Sequence, residues 1–254
     1  MMTTPVSSVA LVTDAASTVG RAIALALAQQ GWDLALHYQE GAAPAALLQE
    51  CQALGVRAVA IRCDLTQEAD IQALLPRVAQ ELGAVGCVVN NASHVEYDNA
   101  AILSAASLER HMQSNLAAPL LLAQALHAAT LKTEGAHAVV INLLDQKLFN
   151  PQPDFLSYTL SKAALHSATA LLAQAYAPQL RVVAIAPSLA ASLNATAGAQ
   201  SKQPATLEDI AATVCFVAAS SAITGSTLLV DGGQHLYPHP RDPAAVPGQS
   251  SHPH

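Results

Sequence analysis

A tyrosine, a lysine four residues after it and an aspartate thirteen residues before it (Tyr158, Lys162 and Asp145) are the groups in this chain whose types and spacing could carry chemistry. The run of Ala and Leu from 157 to 174 predicts a helix, and residues four apart on a helix share one face, so phenol and ammonium become neighbours. Free tyrosine ionises at a pKa of about 10 and exchanges protons poorly at neutrality; a fixed cation beside it favours the phenolate. A hydroxyl at position 145 could donate to a ketone oxygen, whereas an ionised carboxylate only accepts and would repel an oxyanion. Asp145 therefore suits a substrate ring with N–H groups, or an imine that must gain a proton. The spacing by itself also fits a surface pair, and Asp145 by itself also fits a turn cap.

These groups need elements to position them. An apolar run at 7–12 leads through Thr13-Asp-Ala-Ala-Ser-Thr-Val-Gly20 into a helix pattern over 21–30 that stops at Gly31. Further apolar runs at 34–37, 56–62, 86–90, 138–143, 181–186 and 226–230 alternate with segments of helical composition. Alternating strands and helices imply right-handed crossovers and a parallel sheet covered on both faces, whose strands read as continuous apolar runs. The expectation is one α/β domain over 1–237, a doubly wound parallel sheet with helices on both faces.

Composition agrees. The chain has 254 residues, 52% hydrophobic and 11% charged, which suits one large core. No apolar stretch approaches the roughly 18 residues of a membrane span, and no basic start with an apolar follow-on reads as a signal peptide, so a cytoplasmic location without membrane contact is expected. The four cysteines, Cys51, Cys63, Cys87 and Cys215, lack metal or disulfide spacing. A net charge of −7 with dispersed basic residues argues against nucleic acid. The Pro/His-rich stretch 238–254 has too few apolar groups to offset ordering entropy and is expected to be a disordered tail, its histidines binding metal adventitiously at most.

The order of the strand-turn-helix at 7–30, Cys63-Asp-Leu65, Asn90-Asn-Ala-Ser93, Asn115, Asp145, Tyr158, Lys162, Ala186-Pro-Ser188 and Asp231-Gly-Gly233 resembles the short-chain dehydrogenase/reductases over roughly 7–237. Within them it is similar to pteridine reductases and dihydromonapterin reductases, which carry an aspartate where most members have a catalytic serine. The resemblance implies a Rossmann-type fold and a reductase using NADP(H), with NAD(H) the other option. It implies that Tyr158 delivers the proton, Lys162 depresses its pKa and holds the nicotinamide ribose, Asp145 orients the substrate, and Asn115 holds a water of the proton relay. Thr13, Thr18, Val19 and Gly20 would form the phosphate turn, and His37 and Tyr38 would meet the adenosine ribose. Asp64 and Leu65 would touch adenine; Asn91, Ala92 and Ser93 would line the adenosine side; Pro187, Ser188 and Leu189 would run beside the nicotinamide. A packing role for Asn115 stays open.

Three departures bear on this reading. Asp14 stands in place of the turn's first glycine, and Thr18 stands at a position often arginine in pteridine reductases; a carboxylate near a pyrophosphate repels it. His37-Tyr-Gln-Glu40 offers neither an arginine for a ribose phosphate nor an aspartate for free ribose hydroxyls. Val95 stands where pteridine reductases tend to carry an aromatic that stacks on the pterin. The Ala/Ser/Asn-rich stretch between Ser188 and Thr206 predicts mobility, as a lid or a simple connection. The alternatives to a dihydropterin reductase are a weakly catalytic or non-catalytic scaffold that binds a cofactor or partner, and a generic carbonyl reductase. The resemblance implies a homotetramer, or failing that a dimer, paired through the helices bearing Asn115 and Tyr158; their outer faces at 116–126 and 165–176 carry more Ala and Leu than one buried stripe needs.

Overall fold

In the computed structural model, which describes residues 9–188 and 205–236, every strand is parallel to its neighbours. The strands are β1 (Val9–Val12), β2 (Asp33–Tyr38), β3 (Ala58–Arg62), β4 (Val85–Asn90), β5 (Ala138–Leu143), β6 (Leu180–Pro187) and β7 (Thr227–Val230). They lie in the order β3-β2-β1-β4-β5-β6-β7, so the winding direction reverses between β1 and β4 and opens a crevice at their carboxyl ends. The helices are α1 (Thr18–Gln29), α2 (Ala45–Ala53), α3 (Glu68–Leu82), α4 (Ala105–Met112), α5 (Ala118–Thr130), α6 (Leu156–Tyr176) and α7 (Leu207–Ala219).

Strand periodicity divides the core. Ala10 and Val12 of β1 pack with Ile23 and Leu27 of α1 and Val214 and Val217 of α7. The alternate residues Val9 and Leu11 pack on the other face with Leu74 and Val78 of α3 and Leu122 and Leu126 of α5. Burying such side chains contributes roughly 1.5–3 kcal/mol each, and β1 and β5 are buried along their whole length because both faces are covered. The expected architecture is the observed one, with strand ends within about two residues of the apolar runs. Helix α1 begins at Thr18, earlier than its pattern suggests, because the Ser17 hydroxyl accepts from Gly20 N–H at 3.1 Å and caps it. Among the described residues no helix is long and apolar enough to cross a membrane. The segments expected as a lid and as a tail, and Leu189 with them, lie outside the described residues.

A string of buried amides ties the sheet to α6. Asn90 donates to Asn142 at 2.8 Å across β4 and β5, and Asn142 donates to Thr169 of α6 at 3.0 Å. Between α4 and α5 the chain makes one π-helical turn, Gln113–Ala117, which the sequence did not announce. Such turns insert a residue and re-aim a side chain, here Asn115, into the molecule.

Candidate active site

Helix α6 starts at a specific point because Asp98 holds its first turn. Its carboxylate accepts from both Ser157 N–H and the Ser157 hydroxyl, while Phe155, in a left-handed conformation at φ 58°, donates its N–H to Asp98 O. That fixes Tyr158 and Lys162 against the end of β5. Tyr158 O–H donates to Asp145 Oδ2 at 3.1 Å, and Asp145 Oδ1 accepts from Lys147 N–H at 2.8 Å. Asp145 is thus both a turn cap and the partner of the phenol. Lys162 Nζ donates to Leu143 O at 2.7 Å and lies 5.8 Å from the Tyr158 ring centre.

The electrostatics differ from the expectation for the phenol. Burial first, then the Asp145 charge and hydrogen bond, raise the Tyr158 pKa well above its usual value, with the Ser93 hydroxyl pulling the other way. Lys162 is not what sets it: the ammonium points to the Leu143 carbonyl. Burial lowers the Lys162 pKa to about 8, with Asp145 opposing. In this arrangement the phenol holds its proton.

Asn115 is fully buried and its amide is saturated: it donates to His94 O and Ser161 Oγ, both at 2.9 Å, and accepts from His94 N–H and the Ser93 hydroxyl. Its side chain therefore clamps the 93–94 loop to α6, which leaves none of it for a water.

A cleft runs over the crevice. Its inner part, about 320 Å³, is lined by Asp14, Ser17, Thr18, Val19, Asn91, Ser93, Val95, Leu143, Leu144, Tyr158 and Lys162. Its outer part, about 760 Å³, is bounded by Asp14, Gln39, Leu65, Thr66, Ala92, Ser93, His94, Arg110 and Gln113 among others. Asp14 and Ser93 border both parts, so they form one continuous groove.

Several residues expected to touch a ligand hold the groove's shape. Thr13 is buried, and its hydroxyl donates to Val89 O and accepts from the N–H groups of Asn91 and Ala92. Asn91 Nδ2 donates to Thr13 O at 2.9 Å and Asp14 O at 3.0 Å. His37 is 1% exposed: Nε2–H donates to Cys63 O and Nδ1 accepts from Asp14 N–H, which fixes a neutral tautomer that burial favours by lowering the pKa. Its ring edge reaches the groove wall, but neither nitrogen is free to bind. Tyr38 does not line the groove; Gln39 does. Asp64 accepts from Gln39 and Thr66 and leaves Leu65 as the groove residue. The sequence reading missed Ser17, whose place three before Gly20 is a cap signal, and Asp98, which no local pattern marks.

The groove suits a dinucleotide. A Cβ on Gly20 would lie 2.3 Å from Asp14 O, so glycine lets α1 start tight against the turn, and the N-terminus of α1 beside Thr18 and Val19 favours negative charge. Ser188, 2% exposed at the end of β6, has a hydroxyl with no partner among the described residues.

The family model described as "short chain dehydrogenase" matches residues 8–203. The chain belongs to the short-chain dehydrogenases. A short-chain dehydrogenase/reductase of Armillaria gallica is 31% identical over 92% of this chain and 98% of its own length. The 3-oxoacyl-[acyl-carrier-protein] reductase FabG of Staphylococcus epidermidis is 28% identical over 89% and 98%. Among solved structures, FolM alternative dihydrofolate reductase 1 from Brucella suis, in complex with NADP, superposes with a TM-score of 0.83 at 32% identity, covering 94% of this chain and 98% of that one. As a member of this family the chain is an oxidoreductase on the Rossmann-type scaffold seen here.

Proposed function

We propose that this short-chain dehydrogenase is an NADP(H)-dependent reductase of a dihydropterin-type C=N bond. The observation that carries the reading is the Asp145–Tyr158 pair: a carboxylate, not a hydroxyl, faces the phenol. A carboxylate accepts hydrogen bonds from ring N–H groups and repels the alkoxide a ketone would form. The similarity to a dihydrofolate reductase solved with NADP supports both the substrate class and the cofactor.

When bound in the groove, NADP(H) would supply the hydride. We assign Thr18, Val19, Leu65, Ser93 and Lys162, which line the groove, to the dinucleotide, together with Pro187 and Ser188 at the end of β6. The Tyr158 hydroxyl, kept protonated by burial and Asp145, donates its proton to the substrate nitrogen, with the Lys162 ammonium 5.8 Å from the phenol ring centre while it is bonded to Leu143 O. Asp145 holds the substrate's N–H edge, and Asn115 acts as a positioning residue through the 93–94 loop. FabG's likeness to the chain makes carbonyl reduction the second reading, which the same assay addresses.

The test is NADPH oxidation with 7,8-dihydrobiopterin and with a ketone, repeated with NADH. Turnover of the pterin with NADPH, lost in Tyr158→Phe while NADPH binding persists, is expected; turnover of the ketone alone would replace this reading with carbonyl reduction. We further propose a homotetramer, since Leu171 stands exposed within the face of α6 expected to pair, with Leu160 of the same helix and Leu131 just after α5 exposed as well. Light scattering on a sizing column should give about four chain masses; a monomer at micromolar concentration overturns the assignment.

A further inference from the structure

NADP(H) differs from NAD(H) by one phosphate on the adenosine ribose, and in doubly wound sheets that ribose lies near the end of the second strand. Here that end supplies no cation. His37 is neutral with both nitrogens engaged, Gln39 lines the outer groove, and Glu40 after it is an exposed carboxylate. Asp14 adds a second carboxylate to the same part of the groove. Among the described residues, the Lys and Arg side chains that border the groove are Lys162, in its inner part, and Arg110 of α4, whose guanidinium Glu96 holds at 2.7 Å.

Strand β3 brings a cation to this place. Arg62, its last residue, is the register partner of Tyr38, and its Nε donates to Gln39 O at 3.2 Å. Strand alternation sets it in step with Ala58, which packs on the α1 face of the sheet, so it stands on the same side as Thr18 at the start of α1. The side chain is exposed, and neither Nη has a partner among the described residues. The other described arginines are committed: Arg21, Arg57 and Arg110 to carboxylates, Arg77 and Arg181 to backbone carbonyls.

We propose that Arg62 is the residue that selects NADP(H) over NAD(H), its two Nη groups holding the phosphate on the adenosine ribose. A guanidinium anchored through Nε and open at both Nη groups presents the planar fork that binds a phosphate in bidentate fashion. With Asp14 and Glu40 at the same end of the groove, a phosphate without Arg62 would meet only negative charge, so the selection rests on this side chain. The inference deepens the NADP(H) assignment and rests on it for the cofactor, but not on the dihydropterin substrate.

The substitution Arg62→Gln keeps a polar side chain and removes the charge. Binding of NADPH to the full chain, read by its fluorescence, should weaken about tenfold while NADH binding holds at the wild-type value. Calorimetry with adenosine 2′,5′-bisphosphate and with 5′-AMP, which bypass catalysis, should show the same contrast, and the wild-type preference should shrink as salt is added. An unchanged preference for NADPH in Arg62→Gln overturns the proposal, as does an equal loss for both cofactors, which marks Arg62 as a support of the Gln39 backbone. A selective loss of NADPH binding in Arg110→Gln instead would overturn it too, moving the phosphate to α4. A wild-type chain that binds NADH as tightly as NADPH overturns the NADP(H) assignment itself.

Discussion

Asp14 donates its backbone N–H to Nδ1 of the buried His37 at 3.0 Å, and His37 passes the link on to Cys63 O at 3.0 Å. The turn after β1 is thereby tied to the ends of β2 and β3 through one neutral imidazole. Asp14 itself sits at φ 49°, the left-handed region where a side chain is strained and glycine is not. Its carbonyl accepts from both the Ser17 hydroxyl and Asn91 Nδ2. A conformation that favours glycine is thus occupied by an aspartate, and the surrounding hydrogen bonds hold it there.

Asp14→Gly should therefore act twice. It relieves left-handed strain, roughly 1 kcal/mol, and so should raise the melting temperature by about 3 °C. It also removes a carboxylate that borders both parts of the groove, where two unit charges 6 Å apart repel by roughly 3 kcal/mol at an effective dielectric of about 20. Helix α1's positive end offsets part of this, so NADP(H) should bind about tenfold tighter, with the gain shrinking at high salt. Calorimetric titration at two ionic strengths checks it; equal affinity would show that the carboxylate does not repel the cofactor, and weaker affinity that it contributes to binding.

The sheet was legible from the sequence because buried parallel strands are continuous apolar runs, and 138–143 coincides with β5 residue for residue. The Asp145, Tyr158 and Lys162 constellation was legible because helical spacing puts Tyr158 and Lys162 on one buried face. What was hidden depended on contacts distant in the chain. His37 looks like a ribose residue by position, yet its ring is consumed by Asp14 and Cys63, residues 23 and 26 positions away. Spacing predicts that Lys162 neighbours Tyr158, but only the fold shows that burial and Asp145 outweigh it and raise the phenol's pKa. The π-turn at Gln113–Ala117, which turns Asn115 inward, has no compositional mark at all.

Lys162 should set the alkaline limit of the site. Its pKa of about 8 means that the ammonium is lost as pH rises through 8, while Tyr158, shifted upward, keeps its proton. NADP(H) affinity and kcat/KM should both fall above pH 8, and Lys162→Met should show weak binding with no such limb. The sign for stability is opposite. Between about 8 and 10.5 the unfolded lysine holds more protons than the folded one, so this residue's contribution to stability rises with pH, by about 3 kcal/mol in total. Lys162→Met should accordingly be more stable than wild type at pH 7, with the difference narrowing toward pH 10. A wild-type alkaline limb retained in Lys162→Met would assign it to another group.

Asp98 should matter more than any surface carboxylate although it touches no ligand. It is 3% exposed, and its two oxygens engage the N–H and hydroxyl of Ser157 at the N-terminus of α6, the helix that carries Tyr158 one residue later. Removing a cap of this kind costs about 2 kcal/mol, and the exposed helix dipole loses its compensating charge. Asp98→Ala should lower the melting temperature by about 6 °C, since about 1 kcal/mol corresponds to roughly 3 °C in a domain of this size. Fraying the first turn also releases the phenol from Asp145, so kcat should fall at least tenfold at a temperature where the variant is still folded. NADP(H) affinity should change little, because Lys162 lies a full turn deeper and remains tied to Leu143 O. Circular dichroism melts and steady-state kinetics on the same preparation separate the two effects; wild-type kcat in a destabilised Asp98→Ala would mean that the cap supports the fold without positioning Tyr158.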